Sequence, residues 1–188
     1  MESAAVKLEW KGPIGVGTLP VGDEEQKKLA APHVYLSLQH YPARSVLYVG
    51  QSRNFLERLW THYGNMLGLN GYIRGADGKQ FYSPATDYML ERLNEADDLM
   101  MAVVEDVKRV RWWYAPLKAE FLDPVESTLI DYALAAKERE LVECDNGRRQ
   151  NFGSLDRITI EMEFEGTVPD IPTSVFPKAL EGPWRLPT

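Results

Sequence analysis

Two short apolar runs, Val34 to Leu38 and Val46 to Val49, constrain this chain more than any other feature. Val34, Leu36 and Leu38 alternate with Tyr35 and Ser37, so Tyr35 points to the opposite face of a strand from the leucines. Val46-Leu47-Tyr48-Val49 is β-branched and aromatic and apolar on both faces, as a central strand requires. Gln39 to Arg44, with Pro42, joins the two as a loop, which predicts an antiparallel hairpin over residues 33–40 and 45–50. Gly50 to Arg53 then forms a polar turn, and Asn54 caps a helix that reaches about Tyr63. Arg58 and His62 lie four apart on that helix and project from one face.

The remaining chain is read around this hairpin. A length of 188 residues favours one domain with decorations. No apolar run approaches the roughly 20 residues that span a bilayer, and no signal-peptide pattern opens the chain, so a cytoplasmic protein is expected. The single cysteine, Cys144, excludes an intrachain disulfide and suits a reducing compartment, and one cysteine with 3 histidines gives no zinc spacing. The formal charge of −7 argues against a generic nucleic-acid coating protein, which needs Lys and Arg to neutralise phosphates. Two strips without acids stand out nonetheless, one with Lys108, Arg109 and Arg111 and one with Arg148 and Arg149. They read either as the basic walls of a confined groove or as solvated faces.

Glycine and proline punctuate residues 1–30 (Gly12, Pro13, Gly15, Gly17, Pro20, Gly22), which predicts a leading arm with a short helical turn around Asp23 to Ala30. Ser83-Pro84 opens a second helix with Met89, Leu90 and Leu93 as its apolar face. Leu99 to Val104 reads as a third strand. Lys108 to Lys118 interleaves basic residues with Trp112, Trp113 and Tyr114. That run is either a surface on which bases stack or a strand with its tryptophans in the core. Asp123-Pro124-Val125-Glu126 reads as a helix start, with Asp123 as cap and Glu126 three residues later. Glu126 then either closes a capping box or faces the sheet, where an ionised carboxylate needs a partner or a metal. Ile158 to Phe164 alternates as a half-exposed strand, and a Pro-rich tail follows from Val168.

Tyr35, Tyr48-Val49-Gly50, Arg58, His62 and Glu126 together resemble the GIY-YIG nuclease superfamily, named for tripeptides on its first two strands. His33-Val34-Tyr35 stands at the first tripeptide and Tyr48-Val49-Gly50 at the second. The family's arginine follows ten residues after the second tyrosine, as Arg58 does, with a histidine four further on, as His62 does. Glu126 matches the family's glutamate on a later helix. Asn151 is the choice for the asparagine beyond that helix, with Asn146 its competitor. His33 occupies a position that is glycine in the family, where it either narrows the site or adds a group to it. The resemblance implies an α+β fold: a small central three-stranded antiparallel sheet flanked by helices, in the order strand, strand, helix, helix, strand, helix, with a C-terminal strand extension. The corresponding layout is an arm over 1–30, a nuclease-like domain over 31–153, and a strand and tail over 154–188 packed on that domain.

The implied activity is a divalent-metal-dependent, one-metal endonuclease that hydrolyses phosphodiester bonds in DNA, with RNA left open and a stand-alone restriction-type or repair-type enzyme as the setting. Glu126 is the expected ligand of Mg²⁺ or Mn²⁺, which suits oxygen donors plus water. Arg58 supplies a permanent charge in a fork matched to phosphate oxygens. Tyr35 is the expected base, directly or through a relay, while Tyr48, His62 and Asn151 complete the catalytic set. A tyrosine with an ordinary pKa near ~10 serves as base only if its neighbours depress it. Nucleic-acid contacts are expected from Gly50, Ser52, Arg53, Lys108, Arg109, Arg111, Arg148 and Arg149, in a monomer or homodimer that touches no membrane. The alternatives are a catalytically inactive relative that binds nucleic acid or protein, and an acidic interaction protein with a structural tyrosine hairpin.

Overall fold

A computed structural model describes residues 4–20, 22–87, 94–140, 142–146 and 156–184. Its centre is the predicted hairpin: β2 (His33–Tyr41) and β3 (Arg44–Ser52) pair antiparallel, with Tyr35 opposite Gly50 and Ser37 opposite Tyr48. The three-stranded sheet expected around them is not what forms. The sheet has 7 strands in the order β7-β3-β2-β6-β1-β8-β9, is mixed, and curls strongly into a half-barrel flanked by 4 helices. β6 (Arg111–Pro116) pairs antiparallel with both β2 and β1 (Ala4–Ile14). β8 (Asp156–Phe164) lies parallel to β1, and β9 (Ala179–Trp184) closes that side antiparallel to β8. β7 (Glu143–Cys144) adds a short parallel strand outside β3. A separate two-stranded ribbon, β4 (Ile73–Arg74) with β5 (Gln80–Tyr82), projects from the connection after α2.

Two readings of local sequence fail here for identifiable reasons. The expected arm contains β1, an 11-residue strand in which Val6, Leu8 and Trp10 are buried while Ala5, Lys7 and Glu9 are exposed. That is a clean period of two, hidden by the glycines and prolines that follow it. The pairing with β6 shifts register between Lys11 and Ile14, a bulge that absorbs Gly12 and Pro13 without ending the strand. Leu99 to Val104, read as a strand, lies inside α3 (Ala96–Arg109). Its buried set is Leu99, Val103, Asp106 and Val107, which is helical spacing. Met100, Met101 and Val104 are exposed and make the run look continuously apolar. The helix predicted at Asp23 forms as α1 (Asp23–Leu29). Met89, Leu90 and Leu93 of the helix predicted after Ser83-Pro84 lie outside the described residues.

Alternation along β2 and β6 divides the core between the two faces of the sheet. Val34, Leu36, Leu38, Trp113 and Ala115 pack with Val125, Leu129 and Ala133 of α4 (Leu122–Glu138). Tyr35 and Trp112 point the other way, against Phe55, Leu59 and Tyr63 of α2 (Phe55–Leu67) and Leu99, Val103 and Val107 of α3. Both tryptophans of the basic-aromatic run are thus core residues. Trp112 Nε1 donates to the Tyr63 hydroxyl at 3.1 Å, and Trp113 Nε1 donates to the Thr167 carbonyl at 2.8 Å. No helix among the described residues is long and apolar enough to cross a membrane.

The close seat of α4 on β9 has a measurable consequence. A methyl at Gly182 would overlap the Thr128 hydroxyl and come within 2.7 Å of Thr128 Cγ2. Thr128 is buried and its hydroxyl is committed to the Pro124 carbonyl at 2.9 Å, so it has little room to turn away. Gly182→Ala is therefore expected to cost about 1–3 kcal/mol, by overpacking, read as a lowered urea midpoint. An unchanged midpoint would mean that helix and strand are not seated this closely.

Candidate active site

Tyr35 is fully buried at the middle of β2, and its ring lies across Gly50 of the neighbouring strand. Its hydroxyl is the node of the site. Arg58 Nε donates to it at 3.1 Å, and it lies 3.1 Å from His62 Nε2. The hydroxyl accepts from Arg58 and still has a proton to give, so with the His62 proton on Nδ1 it donates to Nε2, and with the proton on Nε2 it accepts from it. Arg58 and His62 reach the same atom because they are one turn apart on α2. That helix starts where the sequence predicts: Asn54 caps it by accepting from the Glu57 N–H at 3.1 Å. Tyr48 completes the aromatic wall, with ring centres 6.2 Å from Tyr35 and 5.7 Å from His62.

Glu126 approaches from the opposite side of β3. The capping-box role is not realised. α4 begins earlier, with Phe121 at the cap position, and Asp123 instead accepts from Gln51 Nε2 at 3.0 Å. Glu126 therefore sits a full turn inside the helix, half-buried, where its carboxyl senses both the Gln51 backbone N–H and the Arg58 guanidinium. Burial, reinforced by the Asp123 charge, pushes its pKa up to about 7, against the pull of those two groups. The carboxylate, the arginine and both tyrosines thus share one electrostatic neighbourhood: the Tyr35 and Tyr48 hydroxyls also act on the Arg58 guanidinium and hold its proton more tightly.

The other shifts describe a site at rest. Burial and the nearby Tyr48 raise the Tyr35 pKa well above the usual phenol range, despite the Arg58 hydrogen bond that favours the phenolate. Burial, then the Arg58 charge, lowers the His62 pKa to about 4, so the imidazole is neutral at pH 7. In the protein alone, the Tyr35 hydroxyl is a proton carrier rather than a base.

The fit of a divalent cation can be judged from the donors present. Among the described residues no group of three His, Cys, Asp or Glu side chains could hold a metal, so Glu126 would be the main protein ligand. Mg²⁺ is commonly held by one or two carboxylates, its other positions filled by water and phosphate oxygens. A half-buried carboxyl whose ionisation is held back by burial and by the Asp123 charge suits that arrangement. The residues fit a single-carboxylate Mg²⁺ or Mn²⁺ site.

Several expected residues stand elsewhere. Asn151, Arg148 and Arg149 lie outside the described residues. The competitor Asn146 is buried and bound to β3, accepting from the Val49 N–H at 2.9 Å and donating to the Val49 carbonyl at 2.8 Å. It extends the short β7 ladder by side chain. Gly50, expected to touch nucleic acid, is covered by Tyr35. Ser52 is occupied with the Asn54 backbone at the start of α2, whereas Arg53 is exposed. Lys108 pairs with Glu105 at 3.1 Å, Arg109 lies over the Tyr41 ring, and Arg111 donates to the Lys108 and Val110 carbonyls. These cations serve the end of α3, where carbonyls lack partners. Two residues that matter escaped sequence reading. Gln51 meets Glu126 through its backbone and Asp123 through its side chain. Trp112, 4.9 Å from His62 between ring centres, is the floor beneath the imidazole. Gln51 directly follows Tyr48-Val49-Gly50, which was a usable signal; Trp112 had none beyond its strand alternation.

No family model, curated protein or solved structure matches this chain.

Proposed function

We propose that this site hydrolyses phosphodiester bonds in DNA, and that the chain is a divergent GIY-YIG-type endonuclease dependent on Mg²⁺ or Mn²⁺. One observation carries the reading. Arg58 and His62 meet on the buried Tyr35 hydroxyl, and Glu126, from a third distant stretch, feels the Arg58 charge. A structural tyrosine needs none of that company. A cation bound at Glu126 would neutralise charge on the phosphate and favour ionisation of a nearby hydroxyl or water. Arg58 binds a phosphate oxygen through the part of its fork not used on Tyr35. Tyr35 takes the proton of the attacking water as its own passes to His62 Nε2; the water oxygen bonds to phosphorus as the P–O bond to the leaving sugar oxygen breaks, and that oxygen takes a proton from solvent. Phosphate binding beside Arg58 offsets the Arg58 charge, the smaller of the two causes that keep His62 a weak base, so substrate raises its proton affinity while burial continues to oppose it.

Incubation of the chain with supercoiled plasmid and Mg²⁺ or Mn²⁺ tests this directly. Wild type is expected to nick or linearise the plasmid, and Arg58→Ala to lower the rate by about 10²–10³-fold, the loss that follows removal of one preorganised charge at a transition state. Absence of cleavage of both DNA and RNA with either ion overturns the reading. Duplex binding without cleavage would leave a nucleic-acid-binding relative in its place.

A further inference from the structure

On the same sheet face as Tyr35, beyond Phe55, lies a cavity of about 660 Å³. Phe55 is the partition between them: its ring centre is 5.2 Å from Tyr35 on one side and 5.6 Å from His33 and 5.3 Å from Tyr114 on the other. The end of β1, α1, the start of β2 and the end of β6 enclose it. Its volume lies within the roughly 300–1,000 Å³ of small-molecule sites.

The polar groups around it are specific. His33, the residue that replaces the family glycine, is 3% exposed and lines the cavity. Its Nδ1 lies 2.8 Å from the Ala31 carbonyl, a bond only a protonated nitrogen can make. Burial, and to a smaller degree the Lys11 charge, lowers its pKa, so the ring is neutral at pH 7 and Nε2 carries a lone pair. Nε2 has no hydrogen-bond partner among the described residues. Lys11 and Lys28 also line the cavity. Lys11 is held only by an exposed ion pair to Glu165 at 3.6 Å, and Lys28 has no ion pair among the described residues. Pro13, Pro116 and the half-buried Tyr114 give flat apolar walls, and Glu25 adds one carboxylate.

We propose that this cavity binds a nucleoside 5′-monophosphate group. A base lies between the prolines and the Tyr114 ring, where stacking needs a π-face and little else. One of its N–H groups donates to His33 Nε2. The phosphate meets Lys11 and Lys28, and Glu25 takes a ribose hydroxyl or an exocyclic amine. The nucleotide has two sources of the same chemistry, a free mononucleotide or a nucleotide turned out of a strand.

Titration calorimetry of the full chain with the four nucleoside 5′-monophosphates tests the assignment. At least one is expected to bind with 1:1 stoichiometry, and its nucleoside, lacking the phosphate, about tenfold or more weaker. Lys28→Glu, at an exposed position tolerant of change, is expected to weaken binding by about tenfold or more. In ¹⁵N spectra the His33 Nε2 resonance moves on binding while Nδ1 stays. A short 5′-phosphorylated oligonucleotide that binds tighter than the mononucleotide identifies a strand as the source; weaker binding identifies the free nucleotide. No saturable binding by about 5 mM, or binding that Lys28→Glu leaves unchanged, overturns the assignment. Failure here is separable from failure of the cleavage reading, because Glu126→Gln lies outside this cavity and is expected to bind the nucleotide as wild type does.

Discussion

Glu126→Gln is expected to abolish plasmid cleavage, by on the order of 10³-fold or more, and to make the folded chain more stable at pH 8. The first effect rests on the proposal that Glu126 holds the cation, since such an ion supplies several kcal/mol of transition-state stabilisation. The second follows from the shift of Glu126 from 4.5 to about 7. The folded chain holds this proton more tightly than the unfolded chain does. Below about 4.5 both states are protonated and the group contributes nothing. As pH rises through the window from 4.5 to about 7, the unfolded state ionises first and wild-type stability falls. Above that window the full penalty remains. A shift of this size corresponds to about 3 kcal/mol at most, and partial exposure of the residue reduces it to about 1–2 kcal/mol. The glutamine keeps the shape and has no charge to bury. Urea midpoints at pH 5 and pH 8 check this: the variant should exceed wild type at pH 8 by more than at pH 5. Mg²⁺ or Mn²⁺ should raise the wild-type midpoint at pH 8 and leave the glutamine variant where it was, because a ligand stabilises only the state that binds it. A variant that cuts like wild type removes Glu126 from the mechanism. Equal midpoint differences at both pH values remove the buried-carboxyl account.

A gain in stability bought with a loss of activity is the mark of a residue kept for chemistry, and it bears on how the chain can be read. The half of the site that lies close in sequence was legible. Tyr48, Gly50, Asn54, Arg58 and His62 fall within one strand, turn and capped helix, where period and spacing decide which side chains share a face. Glu126 was legible in type and helix but not in its local role. Asp123-Pro124-Val125-Glu126 satisfies the capping pattern, yet the preceding 3₁₀ turn at Ala119–Phe121 runs straight into α4, so the cap falls on Phe121. The pattern records a preference, and a tertiary hydrogen bond from Gln51 to Asp123 outweighed it. The size of the sheet was the larger miss. β1 has the alternation of a strand within its first seven residues, but its place between β6 and β8 depends on pairings with residues far along the chain, from Trp112 to Phe164. Nothing local in Val6, Leu8 and Trp10 specifies those partners.

Gly50→Ala is expected to damage the site more than its single methyl suggests. Tyr35 and Gly50 face each other across β2 and β3. A methyl at Gly50 would overlap the Tyr35 Cζ and hydroxyl and lie within 2.7 Å of Cε2. The ring has nowhere to retreat, with Phe55, Trp112 and His62 centred 5.2, 5.7 and 5.8 Å away on its other sides. Either the hairpin spreads or the hydroxyl leaves Arg58 and His62. Overpacking of this kind costs about 1–3 kcal/mol, and misplacing a reacting group by about 1 Å costs about 10²-fold in rate. A double-mutant cycle separates the two outcomes. In a Tyr35→Phe background the hydroxyl overlap is gone while the overlap with the ring remains, so Gly50→Ala should cost less stability there than in wild type. Neighbours in contact couple by about 0.5–3 kcal/mol, within reach of urea titration. Additive costs would mean that the Tyr35 hydroxyl takes no part in the clash, and that glycine at this position does not serve the placement of that hydroxyl.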